Sequence, residues 1–379
     1  MNLSVGIVGL PNVGKSTLFN ALLRKQAALA ANYPFATIEP NIGIVPVPDE
    51  RLIRLAEIAK IEHLMSNLPP IKPATVEFVD IAGLVKGASV GAGLGNKFLS
   101  HIREVKIIAH VVRAFEDPNV VREGSVDAKS DYETIRTELA LSDITTIAAS
   151  KQKNKRAQEL LEKLENTLNK GENVSALESS KEDQEFVRSL NLLSSKPEII
   201  VLNVPEAEYT KEGIVRIEDK YEEILRLPRQ GGIAQDDHFV VICAKVEEEL
   251  AALSGEEQKE YLYDLGLEKS GLERLIQKAY QELGLISFLT AGEKEVRAWT
   301  VKKDTNAKSA SGEIHTDFIK NFIKAEVVSF DDFVANNGPA LRSEATNGWK
   351  GSRAAGKTRL EGKDYIVQDG DVIEFKVGR

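Results

Sequence analysis

With 379 residues, 42% of them hydrophobic and 28% charged, the chain has the make-up of a globular protein long enough for two or three domains, each burying its own core. Its net charge of −9 argues against indiscriminate binding to nucleic acid, and its one cysteine, Cys243, excludes an internal disulfide or a cysteine-rich metal site. No apolar run approaches membrane-spanning length, and Met1-Asn2 lead into apolar sequence without a basic start or cleavage site, so a cytoplasmic protein without membrane contact is expected.

The first predicted strand, residues 3–8, runs into Gly9-Leu10-Pro11-Asn12-Val13-Gly14-Lys15-Ser16 and then into 17–23, whose apolar positions repeat at helical spacing. This is the full G-x-x-x-x-G-K-[ST] pattern between a strand and a helix, the setting that a phosphate loop requires. There, backbone N–H groups and the positive end of the helix surround phosphates, Lys15 reaches β and γ oxygens, and the Ser16 hydroxyl binds Mg²⁺. A nucleoside triphosphate is the predicted ligand.

Next in the chain comes 33–41, an irregular segment with two prolines, in which Thr37 offers a second hydroxyl to Mg²⁺. Residues 76–80 read as a strand ending in Asp80, and Ile81-Ala82-Gly83 complete a D-x-x-G element. Asp80 is expected to hold Mg²⁺ through water, and the Gly83 N–H to sense the γ-phosphate. From 131 to 195 apolar residues recur at spacings of three and four, which predicts an antiparallel helical arm inserted into the nucleotide domain, with a turn at 171–175 and a first helix ending near 148–151.

Strand 197–202 then leads to Asn203-Val204-Pro205-Glu206, and Phe239–Ile242 lead to Cys243-Ala244-Lys245. These are the places of the two base-reading loops of a switch GTPase. In a guanine reader the first loop ends in Asp, which accepts from N1–H and the exocyclic amine. Glu206 is one methylene longer, and Val204 replaces the usual Lys. Adenine has an unprotonated N1 and no 2-amino group, so a carboxylate facing that edge would meet an acceptor. ATP is therefore favoured, with Asn203 bonding the adenine N6/N7 edge and the Val204 backbone placing the ring, and a GTPase of relaxed base specificity is the alternative.

Beyond Gly284 the pattern changes to a strand at 295–301, helical spacing over 316–323, and a hairpin of 365–367 and 372–377 around Asp369-Gly370-Asp371. A small β-grasp module follows from this. Within 342–363, Arg342, Lys350, Arg353, Lys357, Arg359 and Lys363 face only Glu344 and Glu361, a candidate basic surface for RNA or a solvated loop. The whole reads as an α/β protein. Its G-type nucleotide domain spans 1–130 and 196–281, its helical arm 131–195, and its α+β domain 282–379.

Residues 9–17, 32–41, 80–95, 203–206 and 364–377 together resemble the Obg-like ATPase family, called YchF in bacteria, over essentially the entire chain. The resemblance implies a slow Mg²⁺-dependent ATPase that acts as a nucleotide-controlled switch on the ribosome, with RNA contact and a C-terminal TGS-like domain, and a monomer is expected. It implies that Asn12, Val13, Gly14, Lys15, Ser16, Thr17, Asn203 and Val204 bind ATP, that Ser16, Thr37 and Asp80 serve Mg²⁺, and that Lys15, Asn12 and Gly83 serve catalysis. Related potassium-stimulated switch proteins use an Asn at the place of Asn12 to hold K⁺, which makes K⁺ a candidate cofactor. Leu84 stands where Ras-type hydrolysis has a water-orienting glutamine, and Arg122 falls where relatives carry a histidine, so slow turnover is expected. A module that binds ATP without hydrolysing it is the alternative in a different class.

Overall fold

The computed structural model describes residues 3–32, 41–81, 94–115, 128–150, 154–172, 174, 180–225, 239–335 and 348–378. The chain divides into two compact units, one formed by Met1–Val45 and Glu77–Leu275, the other by Pro46–Val76 and Ile276–Arg379.

The first unit is built on a six-stranded sheet. In chain order its strands are β1 (Ser4–Val8), β2 (Ile42–Pro46), β4 (Thr75–Asp80), β5 (Ile107–Arg113), β6 (Glu198–Asn203) and β7 (Phe239–Ile242), arranged β2-β4-β1-β5-β6-β7. β1 pairs in parallel with β4 and β5, and β6 in parallel with β5 and β7. Every residue of β1, β5 and β7 is buried, as expected of parallel strands covered on both faces. β5 escaped the sequence reading because Ile107–Arg113 carries a histidine and an arginine within its apolar run. Around the sheet stand α1 (Lys15–Asn32), α3 (Leu94–Glu104), α4 (Ala128–Ala149), α7 (Lys211–Leu225), α8 (Ala244–Leu250), α9 (Gly255–Asp264) and the start of α10 (Gly271–Glu282).

The inserted arm holds three helices: α4, which ends at Ala149, then α5 (Lys155–Asn169) and α6 (Lys181–Ser189). Asn154 caps α5 by accepting from the Arg156 N–H, and Ser180 with Asp183 forms a capping box on α6. Ile147 of α4, Leu161, Leu164 and Leu168 of α5, and Val174 and Leu192 share an apolar cluster of their own. At its root, α4 is held to the sheet by buried polar groups. His110 Nδ1 lies 2.7 Å from Glu198 Oε1, the Tyr132 hydroxyl donates to Glu198 Oε2 over 3.1 Å, and Arg136 donates to the Tyr132 hydroxyl over 3.0 Å. Burial opposes a charge on Glu198, but the bonds from His110 and Tyr132 and the nearby Arg136 outweigh it and hold the carboxyl below its ordinary range.

The second unit carries a mixed sheet ordered β11-β10-β12-β8-β9-β3, formed by β3 (Ile71–Lys72), β8 (Leu285–Ala291), β9 (Val296–Lys302), β10 (Phe322–Ser329), β11 (Arg359–Glu361) and β12 (Asp371–Val377). The last strand, β12, lies parallel to β8 and antiparallel to β10, the central arrangement of a β-grasp sheet. This unit takes in 46–76 as well as the C-terminal residues, whereas the sequence placed only 282–379 there. The reason is that α2 (Arg51–Glu62) packs its buried Leu52, Leu55, Ala56, Ile58 and Ala59 side on β8 and β9, and β3 extends the sheet beside β9. Four short helices complete it: α11 (Ala307–Ile314), α12 (Thr316–Lys320), α13 (Phe330–Ala335) and α14 (Gly348–Ala354).

Two expectations are corrected here. Helical spacing over 316–323 yields only α12, because Phe322 and Ile323 join β10, whose ladder with β12 overrides local periodicity. The hairpin at 365–377 does not form either. Residues 365–367 make a single bridge between Ile366 and Asn306, while β12 takes β10 and β8 as partners. Within the basic run, Arg353 pairs with Glu326 and Glu374, Lys357 with Asp332, and Arg359 reaches Asp371, while Arg342 lies outside the described residues.

Candidate functional site

The C-terminal ends of β1, β4, β6 and β7 lie at one edge of the parallel sheet, where open α/β sheets bind ligands. From β1 the chain turns through 9–14 and enters α1 at Lys15. Gly14 has φ +95°, and a Cβ there would lie 2.1 Å from Asn203 Nδ2, so both backbone and space require glycine. A Cβ on Gly9 would approach the Val111 carbonyl to 2.8 Å. Asn12 also takes a left-handed φ, +63°, on the exposed outer turn of the loop. The first turn of α1 contains no acidic residue, which leaves its positive end open to an anion. Ser16 is exposed and Thr17 half-buried there, while Val13 is buried beneath the loop.

Lys15 is 9% exposed. Its ammonium donates to Asp80 Oδ1 at 2.8 Å and to the Ile81 carbonyl at 2.7 Å, so the sequence-predicted phosphate ligand and the sequence-predicted metal ligand meet. Thr37, Gly83, Leu84 and Arg122 lie outside the described residues.

At the other end of the site, Asn203 closes β6 and is 4% exposed. Its Nδ2 donates to the Val13 carbonyl at 2.8 Å, and its Oδ1 accepts from the Ala244 N–H at 2.9 Å. One side chain thus fastens the phosphate loop to the second base-reading loop. The expected bonding of Asn203 to the adenine N6/N7 edge has to share the amide with these two bonds. With one bond made by each end of its amide, Asn203 keeps one N–H, suited to N7, and one lone pair on its oxygen, suited to N6. Val204 donates its N–H to the Ile242 carbonyl at 2.8 Å and buries its side chain in the core, so neither group faces a base. Glu206 Oε2 lies 3.0 Å from Lys245 Nζ on the surface, and this carboxylate holds the Lys245 ammonium above its usual value.

A floor that sequence reasoning missed supports both base loops. The Tyr209 hydroxyl donates to Glu247 Oε1 at 2.6 Å, and the Gly271 N–H is within 2.8 Å of that oxygen and 2.7 Å of the hydroxyl. Burial, reinforced by the Glu247 carboxylate, pushes the Tyr209 phenol well above its ordinary range. A second missed residue is Arg113, opposite Asn203 across the β5–β6 ladder. It is 6% exposed, donates to the Phe115 carbonyl at 3.1 Å and lies 4.3 Å from the centre of the Phe115 ring. No local motif marks either residue; only pairing with distant segments does.

A parallel sheet whose inner strand feeds a phosphate loop, with Asp80 and Asn203 ending two further strands, defines a phosphate-loop nucleotide-binding protein of the switch G-domain class. Residues 4–141 match the family described as 50S ribosome-binding GTPase, and 285–378 match the YchF-type GTPase C-terminal domain, described as a protein of unknown function. The ribosome-binding ATPase YchF of Bacillus subtilis is 46% identical over 99% of both chains, and that of Haemophilus influenzae 47% identical over 99% of both. Among solved structures, that of the Schizosaccharomyces pombe YchF GTPase matches 99% of this chain and 98% of its own, with a TM-score of 0.79 and 35% identity. The chain belongs to the YchF family.

Proposed function

We propose that the chain is a slow Mg²⁺-dependent ATPase that prefers ATP to GTP and works in the cytoplasm as a nucleotide-controlled switch on the ribosome. The observation that carries the base preference is the double engagement of Asn203 and Ala244. Guanine O6 needs a donor, and the Ala244 N–H is committed to Asn203 Oδ1. Guanine N1–H and the 2-amine need an acceptor placed as an Asp places it, and here the longer Glu206 turns one oxygen to Lys245. Adenine requires neither group, and its N7 can accept from the Asn203 amide. Ribosome binding and ATP hydrolysis come to this chain from the names of its relatives. Among the described residues no helix is long and apolar enough to cross a membrane.

Ser16 and Asp80 offer a hydroxyl and a carboxylate, the hard oxygen donors that suit Mg²⁺, and among the described residues no cluster of His, Cys, Asp and Glu forms a closed metal cage. That donor set fits a cation completed by phosphate oxygens. Bound there, Mg²⁺ would supply charge neutralisation to the transferring phosphoryl group. Lys15 would exchange Asp80 for β and γ oxygens as the triphosphate enters, leaving the carboxylate available to the metal; Thr37 and Gly83, outside the described residues, remain the further groups proposed for the site. Asn12, on the outer turn, is our candidate for holding K⁺. Replacing it with Ala should abolish any excess of turnover in K⁺ over Na⁺, and an unchanged ratio would remove K⁺ from the proposal.

Phosphate release by the full chain tests the function. Slow release from MgATP, stimulated by ribosomes and weaker from MgGTP, is expected. Release that no ribosome preparation raises above background would replace the switch by a binding module.

A further inference from the structure

We infer that Arg103 is a positioning residue that couples α3, the helix following the D-x-x-G element, to the inserted arm, so that the arm reads the state of the nucleotide site. This rests on the switch reading above. The arm is joined to the nucleotide domain by a closed ring of bonds. Arg103, at the C-terminal end of α3, donates through one guanidinium nitrogen to Thr146 Oγ1 at 3.1 Å and to Ser142 Oγ at 3.3 Å. Those two hydroxyls stand one helical turn apart on the same face of α4.

Between them in sequence is Asp143, which is fully buried and accepts from the Leu193 N–H and the Ser194 N–H, each at 2.8 Å, and from the Ser194 hydroxyl at 2.6 Å. Two residues on, Lys196 closes the ring by donating to the Arg103 carbonyl at 3.2 Å and the Val105 carbonyl at 2.6 Å. The C-terminal end of α3 is thus gripped from two sides, by α4 through its guanidinium and by Lys196, in the turn before β6, through its carbonyls. Burial raises the Asp143 carboxyl despite its three donors, and lowers Lys196 to about 8 with help from Lys106 and Arg103. The fully buried Asp143 tolerates little displacement of its partners.

The two attachments of α4 have different origins. Tyr132 and Arg136 hold its first half to β5 and β6, whereas Arg103 holds its second half to α3, the first described helix after the D-x-x-G element in the sequence. A displacement of α3 then has to be followed by the distal half of α4, about the anchored proximal half. The two helices beyond, α5 and α6, pack into the apolar cluster that contains Ile147, so they move with that half.

Hydrogen exchange of the full chain, with Mg²⁺ and either ADP or a nonhydrolysable ATP analogue, tests the coupling. In the wild type, protection should differ between the nucleotides both in 94–104 and in 140–149. Arg103→Met should keep the first difference and reduce the second by at least about threefold. The pair Ser142→Ala with Thr146→Val, which leaves α3 untouched, should do the same. Both variants should retain basal ATP turnover and lose most of the stimulation by ribosomes. An arm difference that survives both changes, or is missing in the wild type while 94–104 responds, would overturn the coupling alone. No difference anywhere between the nucleotides would overturn the switch reading and the coupling with it.

Discussion

The phosphate end and the base end of the nucleotide site are held by different kinds of contact. At the phosphate end the sequence motif and the geometry coincide: Gly14 is required by its φ and by Asn203, and Lys15 has a carboxylate and a carbonyl within 2.8 Å. At the base end the groups that a guanine reader would turn toward the ligand are turned toward one another, Asn203 to Ala244 and Glu206 to Lys245. A phosphate loop needs backbone donors and one cation, which few sequences can provide. Base reading needs only a few donors and acceptors left uncommitted, and it changes when neighbours claim them.

The largest effect should come from Lys15→Ala, which removes the buried cation of the phosphate loop. Turnover should fall by about 10²–10³-fold, as for other preorganised charges on a reacting centre, with phosphate release as the measurement. Asn203→Ala breaks both bridges between the loops, each worth about 1 kcal/mol net and more where a buried partner is left unpaired. ATP affinity should drop by about 10–100-fold, read by fluorescent-nucleotide titration, and urea unfolding should show a matching loss of stability.

Next comes Lys245→Met, which frees Glu206. GTP affinity should rise relative to ATP by only about threefold, since an exposed ion pair holds its members weakly. Glu206→Asp in the same background should enlarge that change, and no shift in either variant would locate base selection elsewhere.

The smallest effect concerns pH and a residue remote from the bases. Lys196 titrates at about 8 in the fold against 10.5 unfolded, because burial and then Lys106 and Arg103 disfavour its charge. Between these values the unfolded chain binds a proton that the folded chain lacks, so stability should rise with pH across that window. Unfolding midpoints of the wild type and Lys196→Met should diverge from pH 8 to 10.5, the wild type gaining more.

The same contrast explains what the sequence disclosed. The phosphate loop, Asp80 and the two base-loop positions are contiguous or end a strand, so a linear pattern finds them. The partners of Asn203 lie at Val13 and Ala244, far apart in the chain, and nothing local announces that its oxygen is engaged. Tyr209, Glu247 and Gly271 are likewise meaningful only once α8 and α10 are folded together. The fold behaved alike: β1, β4, β6 and β7 were legible from apolar β-prone runs, whereas β5 hid behind His110 and Arg113, whose polar atoms find buried partners in Glu198 and the Phe115 carbonyl. In the second unit, β10 was masked by the helical period of 316–323, and the recruitment of 46–76 had no signal short of the sheet itself.

Competition between ATP and GTP for the full chain, with Mg²⁺ present, tests the central claim most directly. If the donors and acceptors at Asn203, Ala244, Glu206 and Lys245 are committed as described, ATP should displace labelled nucleotide at a concentration at least about tenfold below that of GTP. Equal potency, or tighter binding of GTP, would contradict it.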